Sequence, residues 1–63
     1  MKRRVQCINI RETMPDQVKL DKMYHIDTDT LYSDLNGDWY ADVYSLSGNR
    51  LGSMKLSHFR DQD

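Results

Sequence analysis

A chain of 63 residues with 38% hydrophobic residues, 30% charged residues and one proline has room for a single domain near the lower size limit, with a small core and modest stability. This composition excludes a disordered tail, and no apolar run is long enough for a membrane-spanning helix. The lone Cys7 leaves neither an internal disulfide nor a cysteine zinc site to staple the fold, and a net charge of −1 lacks the basic excess that phosphate contacts demand.

In chain order, "RVQCINI" (4–10) alternates as a strand with Val5 and Cys7 on one face and Ile8 and Ile10 on the other. "RETMPDQVK" has no helical period, and Pro15 biases Met14 away from the helical region, so this stretch is a loop with a hairpin-like course. "LDKMYHID" returns to strand composition, with Leu20, Tyr24 and Ile26 at one parity. "TDTLYSDLNGD" reads as a long, partly extended connection ending in an Asn36-Gly37 turn. "DWYADVYS" is the best strand in the chain, and "LSGN" is the turn after it. "RLGSMKLS" follows as a strand whose Gly52 marks a bulge or a close backbone approach. The ordered core runs from about 4 to 59, and "RDQD" is expected to fray. No segment sustains an apolar repeat at i, i+3, i+4, which excludes helices longer than a turn. The expected fold is all-β, with five short strands in one domain over 1–63, curled into a small barrel to remove exposed edges.

Parity in "WYADVY" puts Trp39, Ala41 and Val43 on the core face and Tyr40, Asp42 and Tyr44 on the outer one. Trp39 stands at the strand's start beside a turn, where a large ring lies across the mouth of the core, half-buried, with one face offered outward.

The order of these signals resembles a Src-homology-3-like barrel. Its "L-x-x-G-D/K-x-Y-x-I" strand is matched by Leu20 to Ile26, its "G-D-W-W/Y" by Gly37-Asp38-Trp39-Tyr40, and its "G-x-I-P-x-x-Y/F-V" by Gly52 to Phe59. The chain is also similar to short, free-standing bacterial and phage proteins with "V-x-C-I", "L-x-x-G-K-x-Y-x-V" and a closing "G-x-x-P-x-x-x-F". The resemblance covers roughly residues 4–59 and implies a peptide groove in which Trp39 is the groove tryptophan and Glu12 and Asp16 are the flanking acids. Lys55 stands where the groove proline would be and His58 where the groove tyrosine would be, while "CINIRE" lacks the usual aromatic residues. Three apolar walls that a proline-rich ligand uses are therefore missing or altered.

Enzymatic chemistry has no constellation to carry it: there is no Gly-rich phosphate loop, no triad order and no Cys–His pair in a supporting motif. "DTDTLYSD" begins like a calcium loop but places Leu31 at the third ligand position and has no Gly at the sixth, and His25 and His58 match no metal spacing. The expectation is a non-enzymatic protein-binding module without cofactor or metal, cytoplasmic, of phage or prophage origin and modulating a host protein. Its candidate partner-binding residues are Trp39, Glu12, Asp16, Lys55, His58 and Tyr40. One alternative is a nucleic-acid-associated barrel using Tyr40, Tyr44 and the "KRR" cluster, opposed by Asp42 between the two tyrosines. Another is an acidic nucleic-acid mimic built on Asp27, Asp29, Asp34, Asp38 and Asp42, a stretch without a single Lys, Arg or His.

Overall fold

The computed structural model describes residues 1–62. Five antiparallel strands form one sheet: β1 (Lys2–Cys7), β2 (Met23–Ser33), β3 (Trp39–Tyr44), β4 (Arg50–Lys55) and β5 (Phe59–Asp61), with a single 3₁₀ turn, η1 (Leu56–His58), between the last two. The strand order is β4-β3-β2-β1-β5, so strands adjacent in sequence, β4 and β5, are the two outer strands of the sheet. Five flat strands would hold their outer members about 19 Å apart, whereas the four steps from Lys55 to Phe59 reach at most about 14 Å even when fully extended. The sheet must therefore roll, and η1 packs against β3 across the interior of that roll.

Two hairpins share one construction. In residues 34–38 the Asp34 carboxylate Oδ1 accepts from the backbone N–H of Asn36 (2.9 Å) and Asp38 (3.0 Å), and Gly37 takes φ +84. In residues 45–49 the Ser45 hydroxyl accepts from the Asn49 N–H (3.1 Å), and Gly48 takes φ +99. A polar side chain at the first turn position and a glycine three residues later satisfy a left-handed turn without strain. The expected irregularity at Gly52 is present: its φ is +138, and the β3–β4 register shifts between Val43 and Tyr44.

The core consists of Val5, Cys7, Val18, Tyr24, Ile26, Ala41, Val43, Met54 and Phe59. Alternation predicts Val5 with Cys7, Tyr24 with Ile26, and Ala41 with Val43, and all six are buried. Val18 arrives from the long β1–β2 loop, where no period announces it. The loop is pinned by Tyr24, whose hydroxyl accepts from the Lys19 N–H (2.7 Å) and donates to the Gln17 carbonyl (3.0 Å).

Three expectations are corrected. The first strand ends at Cys7, because the Ile8 N–H turns away to donate to the His58 carbonyl (2.8 Å); Ile8 and Ile10 are exposed, and so is Leu20. The stretch after Asp27 is strand through Ser33. An irregularity in its pairing with β3 between Asp27 and Tyr32 is bridged by Thr30, whose hydroxyl donates to the Asp27 carbonyl (2.7 Å) and accepts from the Asp42 N–H (2.9 Å). The tail is not frayed at Arg60 and Asp61, which pair with Gln6 and Val5 on the free edge of β1. Trp39 is 53% exposed, the half-exposed placement expected of it; it shares the parity of Ala41 and Val43 but is not one of the buried core residues.

Phe59 does the work that parity assigned to Trp39. It is 8% exposed and meets Tyr24 edge-on, with ring centroids 6.3 Å apart. Phe59→Ala is expected to cost about 3–5 kcal/mol. The whole domain has on the order of 3–9 kcal/mol at its disposal. Trp39→Ala should cost no more than about 1 kcal/mol. Urea denaturation of both variants checks this, and equal losses would contradict the placement of the two rings.

Candidate functional site

The long β1–β2 loop crosses the rolled sheet beside η1 and leaves a groove of about 320 Å³. Arg11, Met14 and Pro15 border it from the loop, Tyr40 from β3, Lys55 from β4 and His58 from η1. Each arrives for a local reason. The loop is shaped by the Met14 N–H donating to the Arg11 carbonyl (3.0 Å) and by the Arg11 N–H meeting the Met14 sulfur (3.3 Å). Tyr40 and Lys55 are cross-strand partners in the β3–β4 ladder. His58 is held from behind, since its carbonyl receives the Ile8 N–H.

Of the six residues selected from sequence, the structure brings together Tyr40, Lys55 and His58. Glu12 and Asp16 line a neighbouring hollow of about 310 Å³ that shares Arg11, Met14 and Pro15 with the groove. Trp39 lines neither hollow. The aromatic wall of the groove is Tyr40, on the opposite parity from the core side chains. Its ring stacks on Tyr32 (centroids 5.3 Å, 12° between planes), and its hydroxyl donates to Asp34 Oδ2 (3.2 Å). Arg11 is the charged lining residue that the sequence reading does not select. Its one signal was to be the only cation between Cys7 and Lys19. A larger and more open depression of about 620 Å³ lies between the loop's second half and the β3–β4 turn, lined in part by Lys19, Lys22, Tyr24 and Leu46.

The electrostatics follow from these contacts. Burial pushes the His58 pKa below its ordinary value of 6.5, and the Arg11 and Lys55 charges push in the same direction, so the ring is neutral at pH 7. The ring is only 6% exposed, and its Nδ1 is buried without a hydrogen-bond partner. Burial raises the Asp34 carboxyl, but the Asp38 N–H, the Tyr40 hydroxyl, the Asn36 N–H and the Lys55 charge outweigh it and hold the group below the usual carboxylate value. Tyr40 is raised, first by its hydrogen bond to Asp34 and then by burial.

The five acids between residues 27 and 42 are not a bare row. Asp27 and Asp29 meet the N-terminal amine (3.6 and 2.7 Å), Asp34 organises its turn, Asp38 pairs with Lys55 (3.1 Å) and Asp42 with Arg50 (3.1 Å). Cations absent from that stretch of sequence are supplied by other strands. Among the described residues no group of three or more His, Cys, Asp or Glu is clustered as metal ligands, and no helix is long and apolar enough to cross a membrane. Compared with known proteins, the chain matches no family model, no curated protein and no solved structure.

His58 makes stability pH-dependent in a defined window. Because the folded-state pKa is depressed, the unfolded chain binds the extra proton, and stability that is full above pH 6.5 is lost as pH falls through the folded value. The Asp34 contribution begins to be lost only below its ordinary value of 3.8, whereas the His58 contribution begins to be lost below 6.5. The urea midpoint should therefore fall between about pH 7.5 and about pH 5.5, and His58→Gln should flatten that slope. A slope unchanged in the variant would assign the effect to another group.

Proposed function

We propose that this chain is a small, non-enzymatic protein-binding module of Src-homology-3-like architecture that docks a partner protein in the groove between the β1–β2 loop and η1. A cytoplasmic, phage- or prophage-encoded protein that modulates a host protein is the setting this reading implies. One observation carries it: Tyr40, Lys55 and His58, which come from three different elements, border a single groove beside a loop that contributes Arg11, Met14 and Pro15. A mixed wall of aromatic, thioether and proline surface with a few placed polar groups suits a short peptide segment. Exposed Trp39 and Tyr32 extend the same end of the sheet as additional contact surface.

The alternatives have less support. Base stacking on Tyr40 competes with Tyr32, which already covers one of its faces, and Asp34 and Asp38 in the adjoining turn and Asp42 on β3 stand nearby to repel a phosphate backbone. An acidic mimic would need its carboxylates free, whereas each of the five is engaged within the chain.

A photo-crosslinking side chain placed at Thr13, in the groove wall, tests the reading against one placed at Leu46, in the more open depression. In lysate of the native host, the Thr13 position should capture a discrete protein, and Tyr40→Ala combined with Lys55→Ala should abolish the capture. Capture only from Leu46, or capture insensitive to the double substitution, would move the interface off the groove.

A further inference from the structure

The groove carries cations on two sides and has no carboxylate among its lining residues. Arg11 approaches from the loop and Lys55 from β4, and both lie near enough to His58 for their charges to oppose its protonation. Of the surrounding acids, Asp34 is committed to Tyr40 and its turn, while Glu12 and Asp16 line the neighbouring hollow and make no ion pair with Arg11 among the described residues. Asp38 does pair with Lys55 (3.1 Å), but the two side chains are only partly covered, 38% and 33% exposed, and an ammonium with three donors keeps capacity for a second acceptor. The Arg11 guanidinium makes no ion pair among the described residues. A neutral, buried imidazole with an unpartnered nitrogen thus borders a groove with two cations on its walls, of which Arg11 has no ion pair among the described residues and Lys55 has Asp38.

We propose that the groove receives an acidic side chain of the partner protein, a glutamate or aspartate carboxylate held between Arg11 and Lys55 and resting against His58. This inference rests on the reading of the groove as a protein-docking site and gives that site its polarity: the partner segment is acidic, the reverse of what flanking acids would select. The chemistry matches at each point. A guanidinium offers paired N–H donors to two carboxylate oxygens, and the ammonium of Lys55 serves as a point charge from the other wall. The Met14, Met54 and Pro15 surfaces accept the methylene stem of a glutamate, and the Tyr40 and Ser53 hydroxyls border the same space. A nucleic-acid backbone fits less well, because it needs a track of cations and would run past Asp34, Asp38 and Asp42, whereas one acidic side chain is satisfied by the groove alone.

The test uses the whole chain, isotopically labelled, and three blocked peptides of one length that differ only in their central residues, which are glutamate, glutamine or lysine, together with a single-stranded oligothymidylate. Titration followed by amide chemical shifts should show saturable changes for the glutamate peptide at Arg11 to Pro15 and Lys55 to His58, with affinity about tenfold above that of the glutamine peptide at low salt. Arg11→Gln and Lys55→Gln should each weaken glutamate-peptide binding several-fold with the rest of the spectrum intact, and Lys22→Gln, in the other depression, should leave it unchanged. Equal binding of the glutamine peptide at the same amides, or preference for the lysine peptide there, would overturn the acidic occupant while leaving the groove as the docking site. Shifts confined to the surroundings of Leu46, or none with any peptide, would overturn both. Tighter binding of the oligothymidylate at the groove would overturn the protein partner in favour of nucleic acid.

Discussion

The architecture depends on one constraint, the return of β5 to the free edge of β1 within the reach of a single 3₁₀ turn. A meander of β2, β3 and β4 with β1 alongside would leave an open sheet with one bare core face. Because η1 is too short to span a flat sheet of five strands, its closure rolls the sheet, drives Phe59 onto Tyr24 and completes the core. The same turn places His58 against the β1–β2 loop, through the Ile8 N–H on the His58 carbonyl. The groove is thus a consequence of closure: its floor comes from the turn that joins the outer strands, and its rim from the strand preceding that turn and the loop facing it.

Charge is organised across strands rather than along them. Read linearly, the chain separates a basic start from an acidic middle. Folded, Asp27 and Asp29 receive the N-terminal amine, Asp42 receives Arg50 and Asp38 receives Lys55. These are exposed pairs of small individual value, so their main effect is to leave no large field of either sign on the surface. Against that balanced background the groove stands out, since Arg11 has no ion pair among the described residues and Lys55 has a partly exposed one.

Much of the fold is legible in the sequence because two local rules act strongly. Period-two alternation identifies Val5 with Cys7 and Ala41 with Val43, and glycine's tolerance of positive φ identifies Gly37, Gly48 and Gly52 as turn or bulge positions. Those rules fail where long-range partners decide. Three residues, Phe59 to Asp61, carry no period of their own and become a strand only because β1 presents an unpaired edge; Val18 enters the core as one side chain from an irregular loop. Parity alone would bury Trp39, and its place at the strand's start beside the turn is what leaves it half-exposed. In the site, Lys55 and His58 are reached through a motif resemblance and Tyr40 through its outward parity, while Arg11 is not reached, because nothing local links position 11 to positions 55 and 58.

Native-state amide hydrogen exchange tests the dependence of core and groove on closure most directly. If closure by η1 and β5 is part of the one cooperative unit, the Ile8 amide, bonded to the His58 carbonyl, should exchange only through global opening, with the same free energy and denaturant dependence as the slowest amides of the central β2–β3 ladder. Exchange of Ile8 by a small, denaturant-independent local opening, with the β2–β3 ladder still protected, would mean that the sheet stands without its closing strand, and would contradict the account.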